Sequence, residues 1–221
     1  MTARVVTSDH GVTVIGAGAA GPADLREALA VAPQLVAADG GADQALAQGH
    51  KPDWVIGDMD SISDNARQRI AADRIVAVAE QDSTDFAKCL TRIAAPFVMA
   101  VGFAGWRLDH TLAVLNTMVR LTQPPVILLT QADVVFAAPP RLTLPLEPGT
   151  RVSLWPMGPA RGSSTGLEWP IEGIDFAADR AVGTSNRATG PVSLQLQGPM
   201  LLMLPRKTLA TVLGALQLPR P

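Results

Sequence analysis

Only one cysteine, Cys89, occurs in the 221 residues. No intrachain disulfide can form, and no redox compartment is written into the chain. No apolar run approaches the roughly 20 residues that a bilayer-spanning helix needs. Among the longest are Val126–Thr130 and Met200–Leu204. Charge of one sign is missing too: the formal net charge of −2 leaves no electrostatic footprint for a nucleic-acid backbone or an anionic membrane. A phosphate ligand is not excluded by that balance, because a bound metal supplies positive charge locally. The opening stretch MTARVVTSDHGVTVIG lacks the long apolar segment of a secretory leader, so the expectation is a cytoplasmic protein. Internal repeats and low-complexity segments are also absent.

What is present is an ordinary globular composition, with 48% hydrophobic and 17% charged residues. A chain of this length holds one large domain or two modest ones, and buries a core without disulfides or structural metal. Two textures follow one another. Up to about Pro140, apolar runs alternate with helical stretches. Strands are expected at Val12–Ile15, Gln34–Ala37, Trp54–Ile56, Arg74–Val78, Phe97–Val101 and Val126–Leu129. Helices are expected at Ala23–Ala32, Ala42–Gln48, Asn65–Ala72, Thr84–Ile93 and Leu108–Leu121. This alternation predicts an α/β domain over residues 1–138 with a mostly parallel sheet, whose ligand sits beyond the carboxyl ends of the strands.

From Leu142 onward, short strands at Leu142–Leu146, Arg151–Leu154, Val192–Leu196 and Leu201–Pro205 are separated by Gly and Pro clusters such as MGPARGSSTG. They predict a small antiparallel sheet or sandwich over residues 139–221. The tail Lys207–Leu216 fits a closing helix or strand.

Gly16-Ala-Gly18-Ala-Ala-Gly21 follows the run VTVI and matches G-x-G-x-x-G, with Asp39 near the position of a ribose-binding acid. In an Ala- and Gly-rich chain the pattern also describes a plain strand-to-helix turn. More specific are the next three strand-to-helix junctions. They carry Asp39-Gly-Gly, Gly57-Asp58-Met59-Asp60-Ser61 and Gln81-Asp82-Ser83-Thr84-Asp85. In a parallel sheet all three meet at one edge, where unpaired carboxylates repel one another unless a cation joins them. Oxygen ligands without neighbouring His or Cys suit Mg²⁺. The i, i+2 spacing of Asp58 and Asp60 predicts an extended segment with both side chains on one face. Single aspartates also serve as caps and turn residues; Asp53, Asp82 and Ser83 read that way. After the next strand, Gly102-Phe-Ala-Gly105-Trp106-Arg107-Leu108-Asp109-His110 offers a flexible backbone, an arginine fork and a helix-opening acid. His110 fits a structural or solvent-facing role as well as that of a base.

The segments DGGAD, PDWVIGDMDS, DSTDFAKCL, GFAGWRLDHTLAVLN and GTSNRATGPVSLQLQGPMLLMLP occur in this order over nearly the whole chain. In that order they resemble the thiamine pyrophosphokinases. The resemblance implies an α/β nucleotide domain, a C-terminal β-sandwich, and a homodimer with thiamine bound where the subunits meet. It implies transfer of a pyrophosphoryl group from ATP to the thiamine hydroxyl, giving thiamine diphosphate and AMP. Asp39, Asp58, Asp60 and Asp85 match the acids around Mg²⁺ and the triphosphate. Gln81 and Asp82 fall beside that site, and Arg107, Asp109 and Asn116 match the segment near nucleotide and substrate. Ser185 and Asn186 match a thiamine-contacting SN motif, and Trp169 a frequent aromatic position that could also pack the sandwich.

Two positions depart from the family pattern. Trp106 stands where many members have glycine, and Arg187 where bacterial relatives often have Glu. Asp85 is the expected acceptor of the hydroxyl proton, although spacing alone does not separate a base from a metal ligand. Two other classes stay open at this level. One is an NAD(P)-dependent oxidoreductase using Gly16, Gly18, Gly21 and Asp39. The other is a non-catalytic nucleotide- or thiamine-binding regulator.

Overall fold

The computed structural model describes residues 3–105 and 107–219. They form two compact units, one running up to Gln131 and the other over Ala132–Leu218. In the first unit the strands are β1 (Val6–Thr7), β2 (Val12–Ile15), β3 (Gln34–Ala38), β4 (Trp54–Gly57), β5 (Ile75–Ala77), β6 (Ile93–Ala94), β7 (Val98–Val101) and β8 (Val126–Leu129). Its helices are α1 (Pro22–Val31), α2 (Gly41–Ala47), α3 (Asp64–Arg69), α4 (Asp85–Leu90) and α5 (Leu108–Arg120).

Every expected strand and helix of this half is present, with ends displaced by a few residues. The helix expected to run to Ala72 stops at Arg69, and Ala72–Arg74 form a separate 3₁₀ turn. Strands β2, β7 and β8 pair in parallel, as do β3, β4 and β5. The two ladders meet where Val12 bridges Pro33 and the buried Thr13 hydroxyl donates to the Ala32 carbonyl at 2.6 Å. That hydroxyl can sit in the core only because it is bonded; left unpaired it would cost about 1–3 kcal/mol. The VTVI and VMAV runs of β2 and β7 are buried along their whole length, as expected of parallel strands covered on both faces.

The resulting order is β5-β4-β3-β2-β7-β8. From β2 the chain steps outward on one side and returns through β7 on the other. Loops leaving the carboxyl ends of β2 and β7 therefore diverge and open a crevice, the usual place for a ligand in such sheets. Cys89 lies buried against β4, its thiol within 3.7 Å of the Ile56 carbonyl. Burial pushes that thiol above its ordinary range, which leaves it unreactive.

The second unit is antiparallel, so the whole is a mixed α/β fold. Its strands are β9 (Asp133–Ala137), β10 (Arg141–Leu144), β11 (Arg151–Pro156), β12 (Arg161–Leu167), β13 (Gly183–Gln197) and β14 (Met200–Pro205). Strand β14 lies between β9 and β11. The start of β13 pairs with β11, whereas its later part pairs with both β10 and β12. The tail forms helix α6 (Leu209–Ala215). Strand β12 falls in the stretch expected to be a Gly-rich connection. Its register against β13 shifts near Gly166, where φ is +77° and an added Cβ would lie 2.1 Å from the Pro191 carbonyl oxygen. The glycine there permits a bulge inside a strand instead of ending one.

Candidate active site

The first junction turns sharply. Asp39 at the end of β3 adopts φ +44°, a left-handed conformation uncommon outside glycine. Gly41 then opens α2 so close to β2 that a Cβ would lie 2.1 Å from the Ile15 carbonyl oxygen. Asp39 is buried, and its two carboxylate oxygens accept the backbone N–H groups of Ser61 and Ile62, each at 3.0 Å. One acid thus stitches two junctions together. Gly57 makes room for it, since a Cβ at that position would lie 2.7 Å from the Asp39 Cβ and 3.1 Å from an Asp85 oxygen.

The second junction is not the extended segment that the i, i+2 spacing predicts. Met59 sits at φ +70°, and the Arg67 guanidinium donates to its carbonyl. This turn folds the backbone N–H of Asp60 toward the Asp58 carboxylate at 3.3 Å. Backbone strain of this kind costs on the order of 1–3 kcal/mol and gathers at functional sites. As a result, one carboxylate oxygen each from Asp39, Asp58 and Asp60 lie within 4.8 Å of one another. The donors are all hard oxygens, a set that could hold a small divalent cation.

Asp85 lies outside that trio. It opens α4 behind a Thr84 cap and accepts Lys88 Nζ at 3.1 Å, while Asp58 accepts the same ammonium at 2.9 Å. Gln81 Nε2 donates to Asp58 at 3.2 Å, whereas the backbone N–H of Asp82 is taken by Glu80. Arg107 grips Asp109 with two donors, at 3.2 and 2.6 Å, in an exposed pair. Asp109 also accepts the His110 N–H at the start of α5. Asn116 is exposed farther along that helix. Trp106 lies outside the described residues.

Burial is the main cause that pushes Asp39 up to about 6 from 3.8; neighbouring Asp60 and Asp85 add to it, and the two backbone hydrogen bonds oppose it. Lys88 and its hydrogen bond hold Asp58 below the ordinary carboxylate range. For Lys88 itself, burial works to lower the pKa, but the bonds to Asp58 and Asp85 outweigh it and the result is a raised value. A protonated Asp39 therefore favours the cation-free fold. That contribution is complete below the unfolded value of 3.8 and lost as the pH rises through about 6. Asp58 acts in the opposite sense, but only at and below the ordinary carboxylate range. In urea titrations without divalent cations, the stability of wild type relative to Asp39→Asn should grow as pH falls from about 6.5 to about 4.5. A gap that shrinks over that interval contradicts a buried, reluctantly ionised Asp39.

Asp39, Asp58, Gln81, Asp85, Lys88 and Arg107 line a crevice of about 480 Å³ at the carboxyl ends of the strands, with Gly16, Gly18, Phe86, Phe103 and His110 among its walls; Asp60, Asp82, Asp109 and Asn116 are not part of that lining. Phe86 and Phe103 pack at 4.5 Å between ring centroids. The glycine loop itself does not present a dinucleotide cradle. The N–H groups of Gly16 and Gly18 are bonded to the carbonyls of Val101 and Gly102. At the start of α1, the Gly21 N–H takes the Asp24 carboxylate at 2.7 Å, placing a negative charge where a pyrophosphate would bind. The glycines serve loop packing, since a Cβ on Gly16 or Gly18 would lie 2.6 Å from the Gly102 carbonyl oxygen.

In the second unit, Asn186 is buried and its amide clamps the backbone of Trp169. Nδ2 donates to the Trp169 carbonyl at 2.7 Å, and Oδ1 accepts the Trp169 N–H at 3.2 Å. The Trp169 side chain remains half exposed. Ser185, the residue before Asn186, adopts φ +61° and donates its N–H to the Ser153 hydroxyl at 3.1 Å, and Arg187 is exposed.

Lys88, Gly57 and Ser61 are site residues that lie within the motifs but have no role in the motif reading. A signal existed for Lys88, because Asp85 and Lys88 stand three apart on one helical turn.

Residues 25–128 match the family model described as the thiamin pyrophosphokinase catalytic domain. Thiamine pyrophosphokinase 1 of Oryza sativa subsp. japonica is 26% identical over 156 residues, covering 62% of this chain and 59% of that protein. Thiamine pyrophosphokinase 1 of Arabidopsis thaliana is 26% identical over 162 residues, covering 64% and 60%. The matched region thus spans about three fifths of the length of these relatives. The solved thiamin pyrophosphokinase from Candida albicans superposes with a TM-score of 0.75 at 16% identity, over 92% of this chain and 93% of that one. The structure from Geobacillus thermodenitrificans gives 0.71 at 20% identity, over 88% and 96%. Over residues 25–128 the chain is thus similar to the thiamin pyrophosphokinase catalytic domain and to curated relatives of that name, and it shares the mixed α/β fold of the solved structures.

Proposed function

We propose that the protein is a thiamine pyrophosphokinase, transferring the pyrophosphoryl group of ATP to the hydroxyl of thiamine to give thiamine diphosphate and AMP. The observation that carries this reading is the convergence of Asp39, Asp58 and Asp60, the first two of which line the switch-point crevice. There they would hold Mg²⁺, which supplies positive charge to the phosphate oxygens when bound. Arg107 is exposed on the crevice wall, and its fork suits a phosphate as well as it suits Asp109.

Chemistry of this class depends on positioning and charge more than on covalent help. The thiamine oxygen attacks the β-phosphorus, the new O–P bond forms, and the bond to the bridging oxygen of AMP breaks. The hydroxyl proton passes to a carboxylate. Asp85 suits that role, because only one of its oxygens is engaged by Lys88. Gln81, Asp82, Asp109 and Asn116 belong to the nucleotide side of this reading; Ser185, Asn186 and Trp169 belong to the thiamine side. It assigns ATP and Mg²⁺ to the α/β part, residues 1–138, and thiamine to a β-sandwich over residues 139–221. It further includes a homodimer with thiamine at the subunit interface, in the cytoplasm. No helix among the described residues is long and apolar enough to cross a membrane.

Mass spectrometry of products after incubation with ATP, Mg²⁺ and thiamine tests the reading. AMP together with thiamine diphosphate is the expected result. ADP with thiamine monophosphate would make it a simple kinase, and ligand binding without AMP release would make it a regulator. An NAD(P)-dependent oxidoreductase has no support in the crevice, given the bonded N–H groups of the glycine loop.

A further inference from the structure

Lys88 is the least expected residue of the crevice. Its side chain is 1% exposed, yet it carries a charge into the wall of a site already built from acids. A buried ammonium is tolerated only with close, hydrogen-bonded partners. Lys88 has two, Asp58 Oδ2 at 2.9 Å and Asp85 Oδ1 at 3.1 Å. The same Asp58 contributes an oxygen to the Asp39–Asp58–Asp60 trio. One carboxylate is therefore shared between a fixed cation and the place for a mobile one. Like charges this close repel strongly in a partly desolvated site, where the effective dielectric is on the order of 20.

We infer that Lys88 is a positioning residue that acts as the internal counter-ion of the cation-free site: it bridges Asp58 and Asp85 and holds both in place, and it competes with the divalent cation for Asp58. The consequence for the chemistry is twofold. Asp85 is kept out of the cation's ligand set and facing the crevice, available to a substrate proton. Cation binding is held weaker than the three acids alone would make it, so that nucleotide phosphates are needed to complete the site. This inference rests on the reading of the trio as a cation site, and not on the identity of the acceptor.

The test is Mn²⁺ binding to nucleotide-free protein, followed by electron paramagnetic resonance, with thermal unfolding in parallel. Lys88→Met should bind Mn²⁺ about tenfold more tightly than wild type, because a repelling charge has gone. Lys88→Gln should bind more tightly as well, and Lys88→Arg should stay within about twofold, because it keeps the charge. Without Mn²⁺ the Met and Gln variants should melt below wild type. Their melting temperatures should then rise more on adding Mn²⁺ than that of wild type. A residue that merely props the fold would loosen the cation when removed; equal or weaker Mn²⁺ binding by both neutral variants overturns the inference. Failure of wild type, Lys88→Met and Lys88→Gln alike to bind Mn²⁺, with Asp60→Asn behaving identically, would overturn the cation site itself, a separate outcome.

Discussion

Asp60→Asn should lower kcat/KM for ATP by about 10³-fold at saturating Mg²⁺, while the melting temperature in cation-free buffer stays within about 1 °C of wild type. The two halves of this expectation come from one geometry. Asp60 is exposed; the Ser61 hydroxyl donates to its carboxylate at 2.7 Å, and the Asp39 carboxyl is its hydrogen-bonded neighbour. An amide oxygen accepts the Ser61 bond equally well, and the amide N–H can donate to Asp39 in place of a repelling carboxylate, so folding loses little. The cation site loses a full negative charge from a set of three oxygens within 4.8 Å. Asp58 is a poorer choice for this experiment, because its substitution also strips a partner from buried Lys88. Steady-state kinetics with a Mg²⁺ titration, beside thermal unfolding, provides the check. Near wild-type turnover would remove Asp60 from the cation set.

Gly41→Ala should destabilise the fold by at least about 3 kcal/mol. Two effects compete at this position. Alanine is the better helix former by about 1 kcal/mol, and Gly41 is the first residue of α2, so propensity alone predicts a gain. Against it stands the Ile15 carbonyl oxygen, 2.1 Å from where the new Cβ would lie, with the backbone of Gly16 immediately behind. Neither neighbour is a flexible side chain that can turn aside. Relief requires moving α2 off β2, which also moves Asp39 and the crevice. Overpacking of this kind overrides a propensity gain. Gly190→Ala is the control, since nothing lies within 4 Å of its added Cβ. Urea denaturation of both variants decides the matter; a cost below about 1 kcal/mol at Gly41 would mean the junction is looser than its geometry states.

The first half of the fold was legible because its elements are autonomous in pattern. Parallel strands buried on both faces read as short apolar runs, and the helices between them carry their own caps, such as Ser63 and Thr84. The second half was less legible. Strand β12 is written Arg-Gly-Ser-Ser-Thr-Gly-Leu, and its extended form comes from pairing with β13. No local preference would select it. Strand β9, Asp-Val-Val-Phe-Ala, is not among the expected strands although its β-branched and aromatic residues favour one; it pairs with β14.

The candidate site divides along a similar line. By itself the sequence determined that acids gather at successive strand-to-helix junctions, because alternating strands and helices force those junctions to one edge of a parallel sheet. It also determined the chemistry open to them, since oxygen donors without His or Cys favour a hard cation. Only the tertiary structure decided how the four aspartates divide. Asp39 is buried and bonded to the next junction, Asp60 is exposed, and Asp58 is shared with Lys88. Asp85 is drawn out of the trio by the same lysine. The physical reason is distance. Attraction between charges and the cost of burying them change over an ångström or two, and residues 30 positions apart, such as Asp58 and Lys88, acquire that closeness only through the fold.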